Sequence, residues 1–208
     1  MIFKKTTIYV LLVSILICCR DNKSESVKSK YNIVSDQELL GGWKTFVDDS
    51  IKVNLPLNWK PKSVDDLLLY VPLDKNNNSY FVILKNDNLK IRYKNYLKEI
   101  FRQVSQKDKE FNYLIRKVYF EGNKNCYTLE LFTDERGEKY ITYCFIYQKG
   151  NNIYDFSYKT INNEDSNIEN YRIFYNVIFS FKFKNNLIID SEDFIVKDEE
   201  ILKYEDLP

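Results

Sequence analysis

Apolar and polar positions change period along this chain, and the changes divide it into elements. At residues 44–53, "KTFVDDSIKV", two short runs of strand-forming residues flank Asp48 and Asp49, which predicts a hairpin turning at the acid pair. "LPLNWKP" follows at 55–61. Its prolines lack the N–H that a central strand must donate, so this stretch cannot be a central strand. "LLLYVPL" (67–73) and "SYFVILK" (79–85) read as the next strands, joined by the turn-forming "DKNNN".

The period then lengthens. Between Asn88 and Ser105, the residues Tyr93, Tyr96, Leu97, Ile100, Phe101 and Val104 recur at helical spacing on one face, with Asn88 placed to cap the helix. Four strands are expected next, at Tyr113 to Phe120, Cys126 to Thr133, Lys139 to Gln148 and Ile153 to Thr160. In the second of these, Tyr127, Leu129 and Leu131 should face inward and Thr128 and Glu130 outward. "YITYCFIY" (140–147) is apolar throughout, which calls for a central strand covered on both faces. "YDFSY" (154–158) alternates again.

Ser166 and Glu169 have the spacing of a capping box and should open a second helix, with Ile168, Tyr171, Tyr175 and Ile178 on its face. "FSFKF" (179–183) reads as the last strand. Strands and helices in this order predict the α+β class, with a mainly antiparallel sheet of about six to seven strands and helices packed on it.

The two ends of the chain are different in kind. Lys4 and Lys5 precede an uncharged, mostly apolar run from Thr6 to Ile17, and the chain turns abruptly polar at Arg20. That run is shorter than the roughly 20 residues a membrane span requires, but it suits the apolar core of an export signal. No small-x-small cleavage site closes it; Cys18 and Cys19 stand there instead. The arrangement resembles the bacterial lipoprotein signal, whose terminal cysteine is acylated and becomes the new N-terminus. With Cys19 as acceptor, Leu16 lies at −3 and the small Cys18 at −1. With Cys18 as acceptor, bulky Ile17 would occupy −1. Cys19 is therefore the expected lipidation site, and a bacterial cell envelope the expected location.

Residues 1–18 then form the signal and 19–34 a Lys/Ser/Asn-rich flexible tether. Residues 35–184 form one domain. Residues 185–208 form an acidic C-terminal tail with eight acids and two lysines. Removing the signal takes away two lysines and no acid, moving the net charge from +1 to −1. A near-neutral chain carries no electrostatic footprint for nucleic acid.

Two further stretches resemble a known family. "SIKVNLPLNWKP" (50–61) is similar to the opening motif of the PsbP-like family, and "YRIFYNVIFSFKF" (171–183) to that family's final helix and strand. The resemblance spans about residues 43–184. It implies an antiparallel sheet sandwiched by helices, a packed tryptophan at Trp59, and a binding or assembly role, since most members are non-catalytic modules. A shared fold does not carry a shared partner.

The chemistry-bearing residues point the same way. The chain contains no histidine, so it lacks an imidazole for a nucleophilic triad, a histidine zinc site or general-base work near neutral pH. Cys126 and Cys144 are not in a C-x-x-C spacing. "DKNNNSYFVILK" (74–85) begins like a calcium loop. It has Ser79 where glycine is required and Lys85 where the bidentate glutamate belongs, so it reads as a turn. No catalytic residue, metal or cofactor is expected.

Two other features carry expectations. Lys90, Lys94, Lys98 and Arg102 step by four along the first helix, a basic row that is either a solvated face or a contact for an anionic surface. A three-residue loop at Asp134 to Arg136 would set Cys126 opposite Cys144. Export would then permit a disulfide, with two buried free thiols as the alternative. The sequence thus predicts a lipid-anchored, non-catalytic binding or accessory module. Its partners are the membrane, through the N-terminal lipid, and an unknown protein or small ligand. The competing class is an immunity or chaperone-like protein for a secreted effector.

Overall fold

The computed structural model describes residues 32–34, 42–48, 50–64, 67–74, 77–87, 92–107, 111–120, 124–189 and 196–207. Two antiparallel sheets carry the fold. The larger has eight strands: β4 (Trp59–Val64), β5 (Leu67–Pro72), β6 (Tyr80–Asp87), β7 (Asn112–Phe120), β8 (Asn125–Glu135), β9 (Glu138–Lys149), β10 (Asn152–Ile161) and β13 (Val196–Leu202). They lie in the order β13-β7-β8-β9-β10-β6-β5-β4. The smaller has five: β1 (Asn32–Val34), β2 (Trp43–Val47), β3 (Ile51–Pro56), β11 (Lys182–Phe183) and β12 (Asn186–Leu187), in the order β1-β2-β3-β11-β12. Among the described residues, two α-helices accompany the sheets, α1 (Tyr93–Lys107) and α2 (Asn167–Ser180). The α+β class and the antiparallel sheet stand; the expected six to seven strands are corrected to two sheets, because β1–β3 pair with one another and with β11–β12 instead of joining the large sheet.

The large sheet is covered on both faces. On one, Tyr96, Leu97 and Phe101 of α1 pack over Ile115, Tyr127, Leu129, Leu131, Cys144 and Ile146. On the other, Phe174, Val177 and Ile178 of α2 and Phe46, Val53 and Leu55 of the small sheet pack over Cys126, Tyr143, Phe145 and Phe156. Consecutive β9 residues alternate between these cores, so the unbroken apolar run at 140–147 reflects a strand fourth of eight and covered on both sides. Pro61 sits in edge strand β4 and Pro56 ends β3, where the missing N–H costs no central ladder bond. Trp59 is buried against Tyr158, with ring centroids 5.8 Å apart.

Several local expectations give way to the tertiary arrangement. β10 does not alternate: Ile153 to Thr160 are buried without interruption, because β9 and β6 flank it and both faces are covered. Glu130 is likewise buried rather than outward, since α2 lies over its face. The first helix is helical from Tyr93, and Asn88 lies outside the described residues. The capping box does not form. The Ser166 hydroxyl donates to Asn163 O within a preceding 3₁₀ turn (Glu164–Ser166), while Glu169 pairs with Arg172. Tyr171 and Tyr175 flank the buried face of α2, whose centre is Phe174, Val177 and Ile178.

"FSFKF" supplies only two strand residues, and it is not last. The segment expected as an acidic tail contributes β12 and β13, and β13 pairs with β7 to edge the large sheet. Ile188, Ile189 and Leu207 are buried in the cores, so the fold continues past residue 184. At the other end, Asn32 to Val34, placed by sequence in the tether, pair with β2.

Candidate functional site

The possible Cys126–Cys144 bridge, which needed a three-residue loop, fails on register. β8 and β9 are joined by the two residues Arg136 and Gly137, with φ of 59° and 83°, the left-handed pair of a type I′ hairpin. Glu135 therefore faces Glu138, Leu129 faces Cys144 and Cys126 faces Tyr147. Three positions separate Cys126 from Leu129, so the cysteines point to opposite faces. Both are free and buried. Burial pushes both thiols well up, which keeps them protonated and poor nucleophiles.

The remaining sequence-predicted site residues do not converge. Cys19 and Lys90 lie outside the described residues. Lys94 and Lys98 are exposed on α1, while Arg102 donates to Glu99 through both Nε (2.7 Å) and Nη2 (2.5 Å). The row is thus partly neutralised within its own helix.

Two polar groups that the periodicity did not single out are brought inside. Asp155 on β10 is buried under α1. It accepts from Tyr96 Oη at 2.6 Å and from Ser157 Oγ at 2.7 Å. Burial raises its carboxyl, and the two hydroxyl bonds pull it back part of the way. Ser157 Oγ also lies 3.4 Å from Cys144 Sγ. This Asp–Ser–Cys group resembles a catalytic set in composition, yet all three residues are buried and burial holds the Cys144 thiol protonated. Its role is to satisfy a buried carboxylate. The sequence signal was limited, because Asp155 and Ser157 occupy the polar positions of the alternating "YDFSY".

The second group is on the α2 face. Glu130 Oε1 accepts from Arg116 Nη1 at 2.5 Å and from Tyr171 Oη at 2.9 Å. Tyr143 packs on Tyr171 with centroids 4.8 Å apart, and its buried hydroxyl has no hydrogen-bond partner among the described residues. Burial and the nearby Glu130 charge push that phenol up to about 12. Along the same face an apolar cleft of about 170 Å³ lies between α2 and β7–β9, lined by Val118, Phe120, Cys126, Thr128, Phe145, Tyr175 and Phe179. Small-molecule sites are typically about 300–1,000 Å³, so this cleft suits a single apolar side chain better than a cofactor. Among the described residues, no helix is long and apolar enough to cross a membrane, and no cluster of potential metal ligands occurs.

No protein-family profile matches the chain, and no curated protein is similar to it in sequence. Among solved structures, it is similar to cyanobacterial PsbP (CyanoP) from Synechocystis sp. PCC 6803, at 14% identity and a TM-score of 0.42, covering 78% of this chain and 98% of that one. It is also similar to the Ran-binding protein Mog1p of Saccharomyces cerevisiae, at 9% identity and a TM-score of 0.46, covering 76% and 97%. LpqN, involved in cell envelope biogenesis of Mycobacterium tuberculosis, aligns at 9% identity and a TM-score of 0.35, covering 73% of this chain and 89% of that one.

Proposed function

We propose that this chain is a lipid-anchored protein of the bacterial cell envelope, a PsbP-like domain held by an acyl group on Cys19 and acting as a non-catalytic binding or accessory module. One observation carries the reading: Lys4 and Lys5, then the twelve uncharged residues Thr6 to Ile17, then Cys18, Cys19 and an abruptly polar run. Asn32, where β1 begins, is thirteen residues beyond Cys19. A fully extended tether of that length spans roughly 45 Å, which holds the domain beside the membrane.

A binding role is supported by the interior chemistry. The protonated, buried thiols and the hydroxyl-bonded Asp155 are arranged for stability. The cleft under α2, with Arg116 and Glu130 beyond one end, offers an apolar socket beside a charged rim, the composition of a protein contact. The membrane is the first partner and a protein side chain the occupant of the cleft.

Metabolic labelling with a clickable fatty acid tests the anchor. The wild-type chain and Cys18→Ser should incorporate label, and Cys19→Ala should not. Label on Cys19→Ala would overturn the assignment.

A further inference from the structure

We propose that the end of the molecule where the chain joins the fold is a seat for anionic phospholipid headgroups, formed by Lys52, Lys85, Lys149, Lys182 and Lys184. The inference deepens the anchor reading and takes its geometry from it. Asn32 pairs with Val47, which pairs with Lys52, so the chain arriving from Cys19 meets the sheet at the strand ends that carry these lysines.

Four separate stretches of the chain bring the cations together. β11 sets Lys182 directly opposite Lys52. The β11–β12 turn adds Lys184, whose amide donates to Ser50 O at 2.6 Å. From β6, Lys85 Nζ lies 4.3 Å from the centroid of the Phe183 ring, and Lys184 Nζ lies 5.7 Å from the same centroid. From β9, Lys149 Nζ donates to Leu187 O at 2.9 Å and Ile188 O at 3.1 Å. Lys85, Lys149 and Lys184 are exposed, and Lys52 and Lys182 are half-buried.

This arrangement costs the fold. Like charges directly opposite on neighbouring strands destabilise a sheet, and Lys52 faces Lys182. Lys184 has φ of 50°, a left-handed conformation that a side chain with a β-carbon disfavours. Among the described residues, no carboxylate pairs with any of the five; the ion pairs of the fold form at Arg102, Arg116, Lys159 and Arg172. Among the described residues, register places Asp48 and Asp87 at these strand ends beside the five lysines. Phosphate-bearing headgroups supply the missing negative charge, and the proposed anchor brings them within reach. The α1 row is a poorer seat, because α1 covers the face of the large sheet opposite the small sheet and Arg102 is held by Glu99.

The test is lysine footprinting on the full, membrane-anchored chain. The protein is reconstituted into vesicles rich in phosphatidylglycerol or made of phosphatidylcholine alone, acetylated with a water-soluble reagent and read by peptide mass spectrometry. The five lysines should be protected in the anionic vesicles only, and high salt should abolish the protection by shortening the Debye length to about 3 Å at 1 M. Lys94 and Lys98 should react equally in both. Lys52→Gln/Lys182→Gln should weaken protection of the other three, at about fivefold in membrane affinity per lysine removed.

Equal reactivity of the five in both vesicles, or protection of Lys94 and Lys98 instead, overturns the proposal. The two readings fail separately. Protected lysines with an unlabelled Cys19 would retain the seat and reject the lipid. A labelled Cys19 with unprotected lysines would do the reverse.

Discussion

The two faces of the large sheet are closed by similar means and to different degrees. Under α1, a helix with an uninterrupted apolar stripe meets a flat strand surface, and the one buried acid, Asp155, is bonded by two hydroxyls. Under α2, large rings dominate: Tyr143, Tyr171, Phe174 and Tyr175 pack edge and face. Rings of fixed shape do not fill every gap, and this face keeps an unbonded phenol and an apolar cleft. The closed face is structural. The open face keeps a cleft of about 170 Å³.

The C-terminal segment belongs to both. Ile188 and Ile189 enter the α2 core, Leu207 enters the α1 core, and β13 edges the sheet. Burying three such side chains contributes about 5–9 kcal/mol at roughly 1.5–3 kcal/mol each. That approaches the whole stability of a typical domain, about 5–15 kcal/mol. A chain ending at Lys184 should therefore lose cooperative urea unfolding. If it unfolds as sharply as the full chain, the tail closes neither face.

Asp155 gives a sharper probe of the closed face. Its carboxyl is raised in the fold, so protonation favours the native state and the associated stability is lost as pH rises through the folded value. Urea midpoints of the wild type should carry a stabilising component that grows as pH falls from neutral towards the aspartate range. Asp155→Asn should remove that component while keeping an acceptor for Tyr96. An unchanged pH profile in the variant would mean that Asp155 is not the titrating group.

The smallest effect is expected on the open face. Tyr143→Phe deletes a buried hydroxyl without a hydrogen-bond partner among the described residues, so the variant should be as stable as wild type or gain about 1 kcal/mol. Measured destabilisation would show that the hydroxyl is satisfied in solution and that the two faces are equally well finished.

Much of the architecture was legible because periodicity reports burial. The α1 face, the β7–β10 meander and the central placement of β9 all followed from apolar spacing. The failures share a cause. Glu130 and Asp155 look like outward positions in alternating strands, and only the covering helices make them interior. The acid-rich 196–202 stretch looks like a solvated tail. Its Asp198, Glu199 and Glu200 are exposed as expected, and backbone pairing with β7 needs no apolar side chain. The lysine seat left no local trace, because its members come from four stretches spread over more than a hundred residues.

The sequence by itself determined the N-terminal order of charge, apolar run and Cys19, the absence of histidine chemistry, and the strand and helix periods, since these depend on residue type and local spacing. Tertiary structure alone decided the register. A two-residue turn at Arg136 and Gly137 sent Cys126 and Cys144 to opposite faces, where a three-residue turn would have joined them. Pairing geometry, a property of two strands at once, also placed Lys52 against Lys182 and folded the acidic end into the sheet. Side-chain period can be read from one segment, but which segments meet depends on the closure of the whole chain.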